Sequence, residues 1–137
     1  MRNLTPTEQD IIKRLCAWLT AHEREGILLD LQGVQVTEEQ GNPLVLKFHL
    51  KNYDRPKYKG QRPYSAEVKL NAVDGAEIYI ILYKDQNNRL FELEYVRPDE
   101  KPLGDLRPDT MVRVFPFGEV IELNSGENRI IRDNPRK

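Results

Sequence analysis

The chain has 137 residues, of which 39% are hydrophobic and 31% charged, and its formal net charge is −1. This length predicts one domain whose core needs neither a disulfide nor a structural metal, and the single cysteine excludes an internal disulfide. The near-zero charge excludes a global attraction to nucleic acid or to an anionic membrane, and the longest apolar run, Ile78 to Tyr83, is too short for a membrane helix.

The first predicted element is one long helix over residues 6–25. Thr5, Pro6 and Glu8 supply a capping threonine, a proline in the first turn and a glutamate three residues after the cap. Gly26 is a natural stop, because glycine takes the left-handed conformation at a helix end without strain. The apolar stripe of the helix has a 3.6-residue period and consists of Ile11, Ile12, Leu15, Cys16 and Leu19.

Two strands and a loop are predicted next. The first strand covers residues 27–37, with a bulge at Gly33, where the phase of the apolar alternation changes. The second strand covers residues 44–50, which alternate strictly between apolar and other side chains. Residues 51–64 hold two prolines, three tyrosines and five Lys/Arg residues, a composition that predicts a long basic loop.

Residues 66–96 are predicted to form three consecutive antiparallel strands. A three-residue loop, Asp74-Gly75-Ala76, would place Leu70 opposite Ile80, and a four-residue loop over 85–88 would place Leu82 opposite Phe91. This register puts every core candidate on one face, whereas a slip of one residue would invert them all. The core candidates are Ala66, Val68, Leu70, Ala72, Ile78, Ile80, Leu82, Phe91, Leu93 and Tyr95.

The opposite face of these strands carries a row formed by Tyr79, Ile81 and Tyr83 beside the carboxylates of Glu92 and Glu94. Aromatic residues with a polar group are typical of protein interfaces. Two interpretations stay open at this point. Either the C-terminal third of the chain folds over this face, or another protein binds it.

The C-terminal third is predicted to be mostly irregular, with short strands over 111–115 and 119–123 and a mobile polar tail from about residue 124. The whole chain is therefore predicted to be a single α+β domain. Its long N-terminal helix would pack on a mainly antiparallel sheet of about six to seven strands.

Motifs for chemistry are missing from the sequence. His22 and His49 lack a second ligand at metal spacing, and Cys16 lies on the apolar stripe of the helix. Glu92 and Glu94 would lie roughly 7 Å apart along a strand, a spacing compatible with acid/base catalysis, but no pocket accompanies it. We therefore predict no catalytic residue, no cofactor and no metal site, and a small enzyme with an unrecognised site is the second alternative.

The basic loop supports a different function, the binding of single-stranded nucleic acid. Its cations and rings are interleaved, which is the pattern that such proteins use for phosphate contacts and base stacking. The simpler interpretation is a solubilising loop that balances the acidic strands after it. The candidate contact residues are Tyr53, Arg55, Lys57, Tyr58, Lys59, Arg62 and Tyr64.

Three short motifs resemble those of a bacterial family of small proteins of uncharacterised function. They are RNLTxxE at residues 2–8, LFELEY at 90–95 and KPL at 101–103, so the resemblance covers the helix and residues from about 66 to 107. It implies a cytoplasmic α+β protein without catalytic residues. Proteins of this kind are suspected of being immunity proteins that neutralise a toxin.

The leading hypothesis is a non-enzymatic, cytoplasmic protein-binding module that is a monomer or a homodimer, and its more specific form is an immunity protein that neutralises a toxin. Its mechanism would be steric occlusion, with the carboxylates pairing to basic groups of the partner. Its contact residues would be Tyr79, Ile81, Tyr83, Glu92 and Glu94, with the basic loop at the rim.

Overall fold

The computed structural model describes residues 1–114 and the backbone of residues 119–124 and 127–132. The chain begins with two α-helices, α1 (Pro6–Leu15) and α2 (Ala21–Asp30), which are separated by a 3₁₀ turn, Cys16–Trp18. Each helix starts with a capping box, in which a threonine side chain accepts a backbone N–H and a glutamate three residues later accepts the N–H of that threonine. The predicted start at Thr5 is confirmed.

The single helix predicted over residues 6–25 is wrong in its second half. Leu19 is extended, and Thr20 with Glu23 forms the second capping box, so the chain restarts a helix there. Gly26 consequently lies inside α2 and is not the end of a helix. The first strand predicted from residue 27 is wrong for the same reason, since residues 27–30 belong to α2 and a 3₁₀ turn covers Leu31–Gly33.

The strands that follow in the described part of the chain are β1 (Val34–Glu39), β2 (Leu44–Leu50), β3 (Arg62–Pro63), β4 (Glu67–Ala72), β5 (Glu77–Lys84), β6 (Leu90–Val96), β7 (Leu106–Val114), β8 (Glu119–Asn124) and β9 (Glu127–Arg132). Seven of them form one antiparallel sheet in the spatial order β1-β2-β6-β5-β4-β7, with β3 paired to β5. A separate antiparallel pair consists of β8 and β9. The predicted α+β class and the predicted antiparallel sheet are therefore confirmed.

The register between β4 and β5 differs by two residues from the predicted one. Leu70 lies opposite Ile78, and the backbone N–H of Ala72 donates to the carbonyl of Ala76 at 2.8 Å, so the loop is Val73-Asp74-Gly75. Because side chains alternate with a period of two, a shift of two residues leaves every side chain on its predicted face.

A β-bulge at Phe91 overturns one predicted core residue. Tyr83 pairs with Glu92 and Lys84 pairs with Leu90, so Phe91 is an extra residue in β6. The bulge inverts the alternation, which buries Leu90 completely and leaves Phe91 half-buried on the opposite face. The prediction of Phe91 as a core residue is wrong, and Leu90 takes its place.

The core lies between the helices and one face of the sheet. The helices contribute the fully buried Ile11, Ile12, Leu15 and Ile27, and nine of the ten predicted strand candidates are buried. Cys16 is buried with them, as predicted. The buried side chains of the sheet are Val34, Val36, Leu46, Phe48, Leu50, Val68, Leu70, Ala72, Ile78, Ile80, Leu82, Leu90, Leu93, Tyr95 and Met111, with Ala66 just before β4.

The C-terminal third adds the edge strand β7 to the sheet. β7 begins at Leu106, five residues before the predicted strand over 111–115, and pairs with β4. Pro108 lies where the register between these strands shifts, so its missing N–H interrupts no regular ladder. Residue 115 and much of the mobile tail predicted from about residue 124 lie outside the described residues.

Candidate functional site

The five predicted contact residues lie together on the face of the sheet that points away from the helices. Tyr79, Ile81 and Tyr83 come from β5, and each is half-buried. Ile81 pairs across the strands with Glu94 and Tyr83 with Glu92, and both glutamates are half-buried as well. The hydroxyl of Tyr83 donates to Oε1 of Glu94 at 3.2 Å. The register therefore joins the row on β5 and the two glutamates on β6 into one continuous surface.

Beside this surface is a groove of about 410 Å³, which we call the acidic groove. Four strands of the sheet, β1, β2, β5 and β6, contribute residues to its lining, and the basic loop contributes Tyr58 and Gln61. The rings of Tyr58 and Phe91 are in contact there, with their centroids 5.9 Å apart. The groove is lined by Glu39, Val45, Lys47, Tyr58, Gln61, Tyr83, Phe91, Glu92 and Glu94.

The charges that line the acidic groove are unbalanced, because three carboxylates face one ammonium group. Lys47 Nζ lies 2.9 Å from Oε1 of Glu39, so the charge of this lysine is already paired with that carboxylate. Glu92 receives no hydrogen bond from any residue that the structure describes. Burial raises the pKa of Glu92; Lys47 opposes this change, whereas Glu39 and Glu94 add to it. Burial and the neighbouring Glu94 also raise the pKa of Tyr83 to about 12.

Five residues that line the groove were not predicted as site residues: Glu39, Val45, Lys47, Gln61 and Phe91. Phe91 was assigned to the core because the bulge that turns it outward depends on the pairing of β6 with β5. Tyr58 was predicted as a nucleic-acid or rim contact in the basic loop, and only the fold of the loop against the sheet brings its ring to Phe91. The aromatic content of the loop was the available signal, although it carried no information about which ring would contact the sheet.

Tyr53 and Arg55 of the basic loop bind an internal carboxylate, that of Asp85, which is only 3% exposed. Asp85 accepts hydrogen bonds from the Tyr53 hydroxyl at 2.6 Å, from Nη1 of Arg55 at 2.8 Å and from the backbone N–H groups of Asn87 and Arg89. Burial alone would raise the pKa of Asp85, but these donors and the charge of Arg55 lower it below its usual 3.8. This arrangement, the Asp85 cluster, therefore joins the loop to the sheet.

The remaining loop candidates divide between internal and exposed positions. Nη2 of Arg62 donates to Oδ1 of Asn88 at 2.8 Å, and Tyr64 is buried in the core. Lys57, Tyr58 and Lys59 keep exposed side chains. Of the seven candidates, Tyr53, Arg55 and Tyr64 are thus wholly or partly buried, whereas the other four are exposed, although Arg62 is bonded to Asn88 and the ring of Tyr58 contacts Phe91.

Other kinds of site receive little support from the described residues. No group of three or more His, Cys, Asp or Glu side chains there could hold a metal ion. The described helices are all too short or too polar to cross a membrane. His22 and His49 are exposed.

Comparison with known proteins identifies a family but no function. Residues 1–107 match the model of a family described as a domain of unknown function, DUF6984. No curated protein and no solved structure matches the chain. The matched residues contain both helices, strands β1 to β6 and every side chain of the acidic groove. Since the match covers well over half of its length, the chain belongs to the family of this domain of unknown function, DUF6984.

Proposed function

We propose that this chain is a non-enzymatic protein-binding module and that its contact surface is the acidic groove with the neighbouring Tyr79 and Ile81. The observation that supports this proposal is the state of Glu92. This carboxylate is half-buried among aromatic rings, its pKa is raised by burial, and no described residue donates a hydrogen bond to it. Among the described residues no fully buried side-chain oxygen or nitrogen lacks a partner, so the carboxylate of Glu92 is open to solvent and available to a donor group from a second molecule.

The composition of the surface favours a protein as that second molecule. Tyr79, Tyr83 and Tyr58 combine large apolar area with a polar hydroxyl, which is the side-chain chemistry enriched in the cores of protein interfaces. Ile81 adds apolar area, and Glu92 and Glu94 add charges that set orientation and exclude acidic partners.

The finer proposal is that the module is a cytoplasmic immunity protein that neutralises a toxin by occlusion. An acidic surface with aromatic residues can cover a basic region of a partner and keep other molecules from it. This requires no catalytic group on the module itself, only a partner whose contact surface is basic.

The proposal is tested by recovering partners from native lysate of the source cells with tagged wild type and with a Tyr79→Ala/Tyr83→Ala variant. We expect the variant to lose a partner that the wild type retains, because the aromatic contact area is removed. A matched control is Leu28→Ala/Leu29→Ala, which shortens two exposed apolar side chains on α2. Recovery of the same partners in the same amounts by all three proteins would refute the proposed surface.

A second candidate function, binding of single-stranded nucleic acid, is favoured by the three adjacent exposed side chains Lys57, Tyr58 and Lys59. It predicts binding that weakens as salt rises and that a Lys57→Ala/Lys59→Ala variant reduces. Arg55 is unsuitable for this test, because its loss would disturb the Asp85 cluster. We prefer the protein-binding function, because carboxylates of the groove beside Tyr58 repel phosphate groups. A gel shift at low salt with a single-stranded oligonucleotide measures the effect.

A further inference from the structure

The acidic groove has the charge and the volume to receive a cationic side chain. Its three carboxylates face one lysine, and that lysine is already paired with Glu39. Glu92 and Glu94 are therefore left with no cation bonded to them among the described residues. The volume of about 410 Å³ lies in the range of pockets that enclose small ligands, which is ample for one long side chain.

The rings of the groove make arginine a better fit than lysine. Tyr58, Tyr83 and Phe91 present flat apolar surfaces next to the carboxylates. A guanidinium group is planar, stacks on aromatic rings and forms two parallel hydrogen bonds with a carboxylate, whereas an ammonium group does neither. A site that combines rings with carboxylates therefore favours guanidinium.

Next to the groove, the protein already holds one of its own guanidinium groups between an aromatic ring and a carboxylate. The guanidinium carbon of Arg55 lies 4.8 Å from the ring centroid of Phe91, and Nη1 of the same residue donates to Asp85 at 2.8 Å. Phe91 also belongs to the acidic groove, where its ring contacts that of Tyr58. The groove repeats the combination of ring and carboxylate but contains no arginine among its lining residues.

We propose that the acidic groove receives one arginine side chain from a basic segment of the protein partner. The guanidinium packs against the rings of Tyr58 and Tyr83 and pairs with the carboxylates of Glu92 and Glu94. This inference rests on the proposed function and adds the chemistry of the partner. Binding would supply the hydrogen bonds that Glu92 lacks.

The test uses two blocked tripeptides, Gly-Arg-Gly and the same peptide with citrulline in place of arginine. Citrulline keeps the shape of the arginine side chain and removes its charge. We expect the arginine peptide to shift the NMR signals of the Tyr58 and Tyr83 rings in a saturable titration. The citrulline peptide should bind at least about tenfold more weakly, because the charge-assisted hydrogen bonds are lost.

Two variants locate the binding site. Glu92→Gln/Glu94→Gln should weaken binding of the arginine peptide roughly tenfold, since it removes both charges and keeps the shape of the side chains. Glu25→Gln, which removes an exposed carboxylate on α2, should leave binding unchanged. Equal binding of the two peptides, no binding of the arginine peptide, or an unchanged affinity of the double glutamine variant would each overturn the proposal.

The outcomes also separate this inference from the proposed function. If partner recovery depends on Tyr79 and Tyr83 but the arginine peptide does not bind, the surface is correct and its occupant is wrong. If partner recovery is independent of these tyrosines, the proposed function itself fails.

Discussion

The Asp85 cluster and the acidic groove are two carboxylate sites that the same basic loop helps to form, and they differ in how their charges are satisfied. Asp85 is nearly inaccessible, accepts four hydrogen bonds and has a lowered pKa. Glu92 is half-buried, accepts none from the described residues and has a raised pKa. A structural carboxylate is thus both inaccessible and supplied with donors, whereas the carboxylate available to a ligand is accessible and has no donor among the described residues.

The basic loop takes part in both sites through different residues. Tyr53 and Arg55 point inward to Asp85, whereas Tyr58 and Gln61 line the acidic groove. This stretch of cations and rings thus packs on the protein at both ends, through Tyr53 and Arg55 and through the buried Tyr64, and lines the groove with its middle part. Substitutions at the two sites test this division.

Replacement of Asp85 by alanine should lower the free energy of unfolding by about 4 kcal/mol. It leaves the guanidinium of Arg55 largely buried without its counter-charge and removes the acceptor of the Tyr53 hydroxyl. Urea denaturation followed by circular dichroism measures the change. The matched control is Asp109→Ala, because Asp109 is 65% exposed and should contribute less than about 0.5 kcal/mol.

The stabilities of wild type and Asp85→Ala, compared at different pH values, give a second test of the Asp85 cluster. The folded pKa of Asp85 is below 3.8, so its stabilisation is fully present above the unfolded pKa and is lost as pH falls through the folded value. The difference in stability between wild type and Asp85→Ala should therefore shrink at pH below about 4. A difference that is constant from pH 7 to pH 2 would contradict the structural role.

The bulge at Phe91 is tested by comparing truncations at two adjacent positions. Leu90→Ala should lower the free energy of unfolding by about 3 kcal/mol, since Leu90 is fully buried and its loss leaves a cavity. Phe91→Ala should lower it by less, because its ring is half-buried at the groove. Chemical denaturation measures both, and a larger loss for Phe91 would place Phe91 in the core instead.

Glu92→Gln should raise stability at neutral pH by less than about 1 kcal/mol. The raised folded pKa means that the ionised carboxylate destabilises the folded state, so wild-type stability falls as pH rises from the unfolded value through the folded value. The advantage of the variant should therefore be present at pH 7 and vanish near pH 4, as measured by thermal unfolding. The charged groups that face Glu92 are Glu39, Lys47, Arg55 and Glu94, with the hydroxyls of Tyr58 and Tyr83.

One outcome for Glu92→Gln would contradict the difference between Glu92 and Asp85 in how their charges are satisfied. If Glu92→Gln loses stability at pH 7, the folded protein satisfies this carboxylate after all. Glu92 would then not be available to a donor group from a second molecule.

Much of the fold was predictable because its signals are local. Alternation with a period of two assigned nine of ten core candidates in residues 66–96 to the correct face and placed Tyr79, Ile81, Tyr83, Glu92 and Glu94 together. The second capping box, Thr20 with Glu23, was also readable from the sequence, but the continuing apolar stripe through Leu19 concealed the break. Capping and alternation are decided by neighbours along the chain, which the sequence contains.

Local patterns in the sequence were therefore enough for the class of the fold, the two faces of the sheet and five residues of the candidate surface. The bulge that turns Phe91 outward, the contact of Tyr58 with that ring and the burial of Arg55 against Asp85 depend on the folded chain. The physical reason is that these features depend on groups far apart in the chain. The donors to Asp85 come from residues up to 32 positions away, and no local pattern reports which distant group will supply a hydrogen bond.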